Sequence, residues 1–419
     1  MPNIELGYGN SRVSFDYDAA RFTVLGDERQ NAALSDVEIG ERFDNPFDSK
    51  TIEEIVQPNE TVLIVVPDAT RRTASASTVN LIVRRLIANG TMPHDIRIIF
   101  ATGIHRRVTD AEKKNLLTPF IFQRVKTLNH NPRDLAAIVR LGETDDKIPI
   151  ELNRALVEHD RVIIVGGISF HYFAGFTGGR KLICPGLASA RTISRTHALA
   201  FDCQSKTRRV GVGAGILDGN PVHEAFVKVA AKLPPSFAVN TIVNDKGEAT
   251  DLFCGDWISS HRAACEFYEK NHTIKIAEKR DLVIVSCGGF PHDINMIQAH
   301  KALETAAHAC TENGAIILLA ECADGLGRKD FLEWFAARDS NDLAEKLCAN
   351  YRVNGQTAWS LLRKAGRFNI QIITSLDETE TRPMRRHKAR DLQAALSKIG
   401  KNAKGYILPF GAKFRIISS

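Results

Sequence analysis

The chain has 419 residues, of which 44% are hydrophobic and 25% charged, and its formal net charge is +6. This composition is typical of a globular protein long enough for two or three domains. The small positive excess is not gathered in one tract and gives little support to nucleic-acid binding. No stretch approaches the roughly 18 to 20 apolar residues that span a bilayer, and residues 1–15 lack the features of a secretory signal. We therefore expect a cytoplasmic protein with neither a nucleic-acid nor a membrane partner.

Apolar runs rich in β-branched residues predict buried strands at residues 61–67, 96–103, 161–167, 237–243, 281–289, 314–320 and 369–375. Helical patterns lie between them, for example at residues 77–90, 221–233 and 295–310. This alternation predicts an α/β fold with mainly parallel sheets flanked by helices. A boundary after the helical stretch 258–271 divides the chain into two lobes, residues 1–272 and 273–419.

The eight cysteines contain no C-x-x-C pair, so neither a zinc ribbon nor an iron–sulfur site is indicated. In a long chain without a secretion signal we expect reduced thiols that mostly fill the core.

Five loops that follow predicted strands carry polar and charged residues. They are DATRRT (68–73), ATGIHRRVT (101–109), GGISFHYFAGFTGGRK (166–181), CGGFPHDINMIQAHK (287–301) and AECADGLG (320–327). Ligands of open α/β sheets bind at the carboxyl ends of the strands. The five loops together therefore predict a functional site.

Each loop also has a purely structural interpretation. Asp68 could cap a helix and pair with Arg71, and His105 could be an ordinary loop histidine. The tip at residues 178–181 is more informative, because paired glycines let backbone N–H groups approach an anion while Arg180 and Lys181 supply charge. It is neither a Walker A loop nor a Rossmann fingerprint.

Taken in order, DATRRT, ATGIHR, HYFAGFTGGRK with its following PG, His197 and the later QAHK resemble the nickel-dependent lactate racemase family. The resemblance implies an isomerase that racemises or epimerises a 2-hydroxy acid by reversible hydride transfer, through a 2-keto acid. The cofactor it implies is the nickel pincer nucleotide, the nickel complex of pyridinium-3,5-bisthiocarboxylic acid mononucleotide. It further implies a catalytic, cofactor-binding domain at 1–272, a C-terminal domain at 273–419 that closes the substrate cleft, and an active site in that cleft.

The resemblance also assigns site residues. It implies that His105 and His171 are the acid and base, that Lys181 joins the cofactor covalently and that His197 binds nickel. Implied substrate contacts are Arg71, Gln298, Lys301 and Trp359, and implied cofactor contacts are Asp68, Thr177, Gly178, Gly179, Arg180 and Lys181. Arg71 is followed by Arg72, and the sequence leaves open which of the two contacts the substrate. Ile297 stands where an aromatic residue is expected, so longer acids such as 2-hydroxyglutarate, malate or an aldonic acid are alternatives to lactate.

The residue types suit the chemistry. Each enantiomer needs a base for its hydroxyl proton, which two histidines supply, and a forked guanidinium holds a carboxylate through two hydrogen bonds. A transhydrogenase on the same cofactor and a non-catalytic nickel or nucleotide carrier are the alternatives, although a carrier has no need of two bases. The implied partners are a small 2-hydroxy acid and the enzymes that synthesise the cofactor. The sequence leaves the oligomeric state open.

Overall fold

A computed structural model describes residues 1–26, 32–400 and 403–418. The strands are β1 (Asn3–Tyr8), β2 (Ser11–Asp16), β3 (Phe22–Val24), β4 (Val62–Pro67), β5 (Ile96–Ala101), β6 (Lys126–Asn129), β7 (Ile138–Glu143), β8 (Pro149–Asn153), β9 (Arg161–Gly167), β10 (Phe170–His171), β11 (Gly175–Phe176), β12 (Phe201–Asp202), β13 (Thr207–Arg208), β14 (Phe237–Val243), β15 (Ala249–Gly255), β16 (Thr273–Ile276), β17 (Arg280–Ser286), β18 (Cys310–Leu319), β19 (Asn369–Ile373), β20 (His387–Lys388), β21 (Gly405–Leu408) and β22 (Arg415–Ser418).

The α-helices are α1 (Asp36–Asp44), α2 (Ile52–Ile55), α3 (Ser75–Ala88), α4 (Asp110–Leu116), α5 (Pro119–Arg124), α6 (Ala190–Ala198), α7 (Pro221–Ala230), α8 (Ser259–His272), α9 (Met296–Ala309), α10 (Ser340–Ala349), α11 (Gly355–Ala365), α12 (Glu378–Thr381) and α13 (Leu392–Ser397). Short 3-10 helices span Pro93–Asp95, Leu135–Ala137, Arg154–Leu156, Gly179–Leu182 and Leu332–Ala336. The seven strands expected from apolar runs are all present, as are the three helices between them. No helix in the described part of the chain is long and apolar enough to cross a membrane.

The chain forms two compact units. Unit 1 comprises Met1–Arg29, Phe201–Arg209 and Asn271–Ser419, and unit 2 comprises Gln30–Ala200 and Val210–Lys270. This division differs from the two lobes expected from sequence, because two stretches before residue 272 belong with the C-terminal part of the chain. The reason lies in strand pairing, since β3 is an edge strand of the sheet that β17 and β21 build.

Unit 2 is built on a six-stranded sheet with the order β15-β14-β9-β4-β5-β6. All its pairs are parallel except that of the edge strand β15 with β14. Strand β4 is buried along its whole length, as expected for a strand covered on both faces. Helix α3 packs through a stripe that includes Val79, Ile82, Val83 and Leu86, which recur at the spacing of one helical face.

Unit 1 contains a second six-stranded sheet, of order β20-β19-β18-β17-β21-β3, in which every pair is parallel. Helix α9 buries Ala299, Ala302, Leu303 and Ala306 in the same core as the inner face of β17 and β18. Mainly parallel sheets flanked by helices are therefore confirmed in both units.

The segment Phe201–Arg209 is fastened to the rest of unit 1 by several interactions. Cys203 forms a disulfide with Cys348, Arg208 pairs with the buried carboxylate of Glu304, and Lys206 lies 2.6 Å from Glu345. The expectation that all eight cysteines are reduced is thus wrong for one pair, because two thiols distant in sequence meet on neighbouring elements. The other six cysteines are free and buried, as expected.

His130 gives unit 2 a pH-dependent stability. Burial lowers the pKa of His130 to about 4, although the ring contacts the carbonyl oxygen of Ala188. Between pH 6.5 and 4, His130 is therefore protonated in the unfolded chain but neutral in the folded chain. The free energy of unfolding consequently falls as the pH falls. We expect a loss of up to about 1.4 kcal/mol per pH unit from this group, measured by denaturant unfolding. His130→Gln should flatten the slope, whereas His94→Gln, at a histidine whose side chain is 74% exposed, should leave it unchanged.

Candidate active site

Three of the predicted loops meet at one edge of the unit 2 sheet. Strands β9, β4 and β5 are parallel neighbours, so residues 68–73, 101–109 and 168–182 all leave from their carboxyl ends. The strand order reverses between β4 and β9, with β5 and β6 on one side and β14 and β15 on the other. Such a reversal opens the crevice in which α/β proteins bind ligands.

Asp68 and His105 form a hydrogen-bonded pair at this edge. The Nδ1 atom of His105 lies 2.6 Å from Oδ2 of Asp68, while Oδ1 accepts from the hydroxyl and the backbone N–H of Thr70. Burial alone would raise the pKa of Asp68, but His105, Thr70 and the charge of Arg71 together lower it to about 2. An ionised carboxylate at Nδ1 holds the proton there and leaves Nε2 of His105 as the basic atom.

This pairing gives Asp68 a role beside the one that the resemblance implied. Both carboxylate oxygens have partners, within the loop and on His105, and the implied cofactor contact of Asp68 stays a prediction. Asp68 is therefore placed to orient His105. His105 itself retains partial exposure, with 39% of its side chain accessible.

We expect Asp68→Asn to lower kcat by about 10² to 10⁴-fold with little change in KM, because the orienting charge on His105 is lost. Initial rates of the reaction that the resemblance implies, taken over a range of substrate concentrations, measure both constants. Asp110→Asn provides the control, since that carboxylate is 78% exposed and pairs with the nearby Lys113. A wild-type kcat in Asp68→Asn would mean that His105 needs no orienting partner.

The two arginines of the first loop have different surroundings. The guanidinium of Arg72 donates to the backbone oxygen of Asp245, and its side chain packs against Gly247 in the turn between β14 and β15. Arg71 is held near Asp68, whose charge opposes the lowering of the pKa of Arg71 by burial. The geometry therefore favours Arg71 over Arg72 as the residue available to a ligand.

His171 lies in the small hairpin of β10 and β11. Its side chain is buried, and Nδ1 accepts a hydrogen bond of 3.3 Å from the backbone N–H of Ala174. The ring centroid is 4.5 Å from that of Phe173, which in turn lies 5.1 Å from the ring of His197. Phe173 therefore contacts both histidines and fixes their spacing.

Lys181 and His197 share one aromatic environment. The Nζ atom of Lys181 lies 5.7 Å from the ring of Phe173 and 5.4 Å from that of Phe226, and the His197 ring lies 5.5 Å from the Phe226 ring. The pKa of His197 is lowered to about 3, chiefly by burial and then by the charge of Lys181, with a smaller contribution from His105. His197 is therefore neutral, although the backbone of Ile193 opposes the fall in its pKa, and its buried Nδ1 has no partner with hydrogen-bond geometry.

A neutral imidazole with an unused buried nitrogen is suited to binding a metal. The described residues contain no group of three or more His, Cys, Asp or Glu that could hold a metal ion together. A metal at His197 would consequently need further ligands from a bound molecule or from water.

The glycines of the Gly-Gly-Arg tip pack against side chains of the protein itself. The N–H of Gly179 donates to Oδ1 of Asn240 at 3.1 Å, and a Cβ atom on Gly179 would lie 2.5 Å from the ring of His261. Gly178 adopts a positive φ of 73°. Close packing against neighbouring residues thus accounts for both glycines.

Thr177 and Arg180 are also occupied within the protein. The Thr177 hydroxyl donates to the carbonyl oxygen of Gly167 and accepts from the N–H of Ser169. Arg180 is 1% exposed and donates to the carbonyl oxygen of Ala174 at 2.7 Å. The guanidinium of Arg180 therefore lies in the interior and not at the surface of the turn. Cofactor contacts of residues 177–180, including the charge that Arg180 would supply to an anion, stay a prediction.

Three predicted substrate residues lie in unit 1. On α9, Nζ of Lys301 donates to Oε1 of Gln298 at 2.5 Å, so the structure brings these two side chains together. Trp359 on α11 is only 4% exposed and packs edge-on against Phe201. Its ring is part of the unit 1 core, and its assignment to the substrate pocket stays a prediction.

Sequence reasoning missed four residues around the site. Phe173 lies inside the motif HYFAGFTGGRK, two residues after His171. This closeness in sequence is the signal that could have indicated its place in the site. The sequence around Phe226 is that of an ordinary core residue in a helix. Asn240 lies in a buried strand and His261 in a helix, and neither residue belongs to a motif.

Comparison with known proteins identifies the family. Sequence models described as the lactate racemase N-terminal and C-terminal domains match residues 8–208 and 275–412. The lactate racemase of Thermoanaerobacterium thermosaccharolyticum is 30% identical over 358 residues, covering 84% of this chain and 82% of that protein. The chain belongs to the lactate racemase family. The lactate racemase of Lactiplantibacillus plantarum is 31% identical over 335 residues, 79% of this chain and 77% of that protein.

Solved structures agree with this lactate racemase assignment. The lactate racemase apoprotein from T. thermosaccharolyticum superposes with a TM-score of 0.88 and 27% identity over 99% of this chain and all of that one. A Thermotoga maritima protein, 20% identical with a TM-score of 0.72 over 92% of this chain and 99% of its own, shares the fold. Membership of the family makes the chain an isomerase of the racemase type.

Proposed function

We propose that this protein interconverts the enantiomers of a 2-hydroxy acid, with lactate as the first candidate, and that it uses the nickel pincer nucleotide. The observation that carries the proposal is the grouping of Lys181, His197 and His171 around Phe173. Lactate racemase relatives, 30% and 31% identical to this chain, support the substrate class.

The residues fit a nickel-bearing organic cofactor. His197 offers one neutral, buried nitrogen, and Lys181 is the amine beside it. Because the described residues hold no larger ligand cluster, the cofactor would provide the other nickel ligands. Lys181 would provide its covalent attachment.

When bound, this cofactor supplies an electrophile that accepts a hydride from the substrate carbon, which avoids a carbanion next to a carboxylate. The protein supplies the remaining functions. Arg71 holds the substrate carboxylate while the reacting carbon inverts. His105, oriented by Asp68, takes the hydroxyl proton of one enantiomer at Nε2, and His171 serves the other enantiomer.

Gln298 and Lys301 are proposed as further substrate contacts and Trp359 as the aromatic residue that closes the pocket. The proposed partners are the cofactor-synthesis enzymes and the small hydroxy acid, and the proposed location is the cytoplasm. Transhydrogenation between a hydroxy acid and a keto acid is the competing reaction.

The test uses protein co-expressed with the cofactor-synthesis enzymes. L-Lactate and D-lactate are incubated separately, and each enantiomer is quantified by chiral chromatography, with 2-hydroxyglutarate and malate as further substrates. We expect both lactate enantiomers to approach an equal mixture. Turnover that requires an added keto acid would favour the transhydrogenase, and nickel-loaded protein that converts no hydroxy acid would favour the carrier.

Arg71→Lys should lower kcat/KM for the preferred acid by about 10²-fold, because a single ammonium cannot reproduce two hydrogen bonds to a carboxylate. Arg72→Lys is the matched control and should have a small effect, since Arg72 contacts the backbone of Asp245. Steady-state kinetics on both variants decides the assignment. A damaging Arg72→Lys beside a mild Arg71→Lys would reverse it.

A further inference from the structure

A small cavity lies beside Arg180 in unit 2. It has a volume of about 290 Å³ including the part open to solvent. Its lining includes Arg180, His223, His261 and Arg262, together with the rings and aliphatic groups of neighbours such as Trp257. Four nitrogen-bearing side chains thus converge on one space, and we call it the Arg180 cavity.

Arg180 is a buried cation without a counter-ion. No carboxylate among the described residues lies within ion-pair distance of its guanidinium. Its partners are the carbonyl oxygens of Ala174, at 2.7 Å, and Gly178, at 3.4 Å, and Nε2 of His261, at 2.9 Å, while its Nε has none. A guanidinium has five N–H donors, so these partners leave it incompletely satisfied. A buried charge in this state is costly unless a counter-charge is supplied.

The contact with His261 does not satisfy the remaining N–H donors of Arg180. Its Nε2 lies 2.9 Å from both the guanidinium and the carbonyl oxygen of Thr177. A neutral Nε2 accepts from Arg180 only if it gives up donating to Thr177. In one of the two tautomers Arg180 therefore faces an N–H group instead of an acceptor.

The other neighbours of Arg180 carry no negative charge. Burial raises the pKa of Cys184 to about 12 and also raises that of Cys265, so both thiols are protonated. Burial lowers the pKa of His223 to about 3, followed by the charge of Arg180, so His223 is neutral and its buried Nδ1 has no partner. The carboxylate of Asp218, whose charge acts on His223, is paired with Arg262 at 2.7 Å.

We propose that the Arg180 cavity binds a halide-sized inorganic anion, with chloride as its natural occupant, between the guanidinium of Arg180 and the imidazole of His223. The part of the cavity enclosed by protein has room for little more than a water-sized body, which favours a single-atom anion over phosphate. Arg180 supplies the counter-charge, and His223 in its Nδ1-protonated tautomer donates an N–H. The anion would order the turn Gly179–Leu182, which also carries Lys181. This inference concerns the apoprotein and stands independently of the proposed reaction.

The first test measures thermal unfolding of the apoprotein in sodium gluconate with increasing chloride at constant ionic strength. We expect saturable stabilisation by chloride in the wild type. Arg180→Met should abolish it, and His223→Phe should raise the chloride Kd by about tenfold or more through loss of one hydrogen bond to an anion. His223→Phe also serves if Arg180→Met does not fold.

The matched control is Arg386→Met in unit 1. Arg386 is likewise buried, has an unpartnered Nε and donates to a backbone oxygen, that of Leu361, without a carboxylate partner. It does not line the Arg180 cavity, so its replacement should leave the chloride response intact. A response lost in Arg386→Met and kept in Arg180→Met would overturn the assignment.

The second test locates the anion directly. Crystals of the apoprotein grown in bromide should give an anomalous peak in the Arg180 cavity, within hydrogen-bond distance of Arg180. Bromide only at surface sites, or the absence of any chloride effect beyond that of gluconate, would overturn the proposal. Stronger stabilisation by phosphate than by chloride would contradict a single-atom anion.

Discussion

Lys181→Met, produced together with the cofactor-synthesis enzymes, is expected to lose all racemase activity and all covalently attached cofactor mass. The amine of Lys181 lies between the rings of Phe173 and Phe226, next to the neutral imidazole of His197. A thioether of similar length keeps the packing but cannot form the covalent link. Intact-mass spectrometry under denaturing conditions measures the attachment separately from activity.

His197→Ala separates attachment from metal binding. We expect this variant to keep the added mass, because Lys181 is intact, and to lose most of its nickel as measured by elemental analysis. Lys113→Met is the control for Lys181→Met, because Lys113 is also largely buried but pairs with Asp110. An unmodified wild-type protein, or full nickel occupancy in His197→Ala, would contradict these assignments.

The second large effect concerns the two bases. His105→Ala and His171→Ala should each lower racemisation by about 10² to 10⁴-fold, because the proposed reaction uses one base for each enantiomer. Release of 2-keto acid from one enantiomer during a single turnover needs only one base. Each variant should therefore retain this partial reaction for one enantiomer, and the retained enantiomer should differ between the two variants.

Rapid-quench measurements of keto acid from L-lactate and D-lactate distinguish the possibilities. His94→Ala, at an exposed histidine, provides the control. Equal losses for both enantiomers in both variants would point to one shared base. The remaining histidine would then have a structural role.

Much of the fold could be predicted from the sequence because buried parallel strands leave a strong local signal. The run VLIVVP forms β4 and is buried throughout, and the helical stripe of α3 has one clear period. Elements that are stabilised by partners distant in sequence were not predicted. Strand β3 has three residues and pairs with β21 near the other end of the chain, and Cys203 meets Cys348 only in the folded structure.

The position of the site could be predicted for those motifs that follow the end of a strand. Strand adjacency brought the loops with Asp68, His105 and Lys181 to one edge, as the placement of ligand sites in α/β sheets implies. Side-chain direction was not predictable. Nothing local to the Gly-Gly-Arg-Lys tip indicates that Arg180 turns into the interior toward His261, because His261 lies on a helix far along the sequence.

The pairing of β3 with β21 has a consequence for synthesis on the ribosome. Residues Phe22–Val24 leave the exit tunnel about 380 residues before Gly405–Leu408. Translation proceeds at about 5 to 20 residues per second, so the first segment waits tens of seconds for its partner. Unit 2, which is almost complete once Lys270 has emerged, can acquire its structure during that interval. The N-terminal segment meanwhile exposes an unpaired strand edge, the kind of surface that chaperones protect in nascent chains.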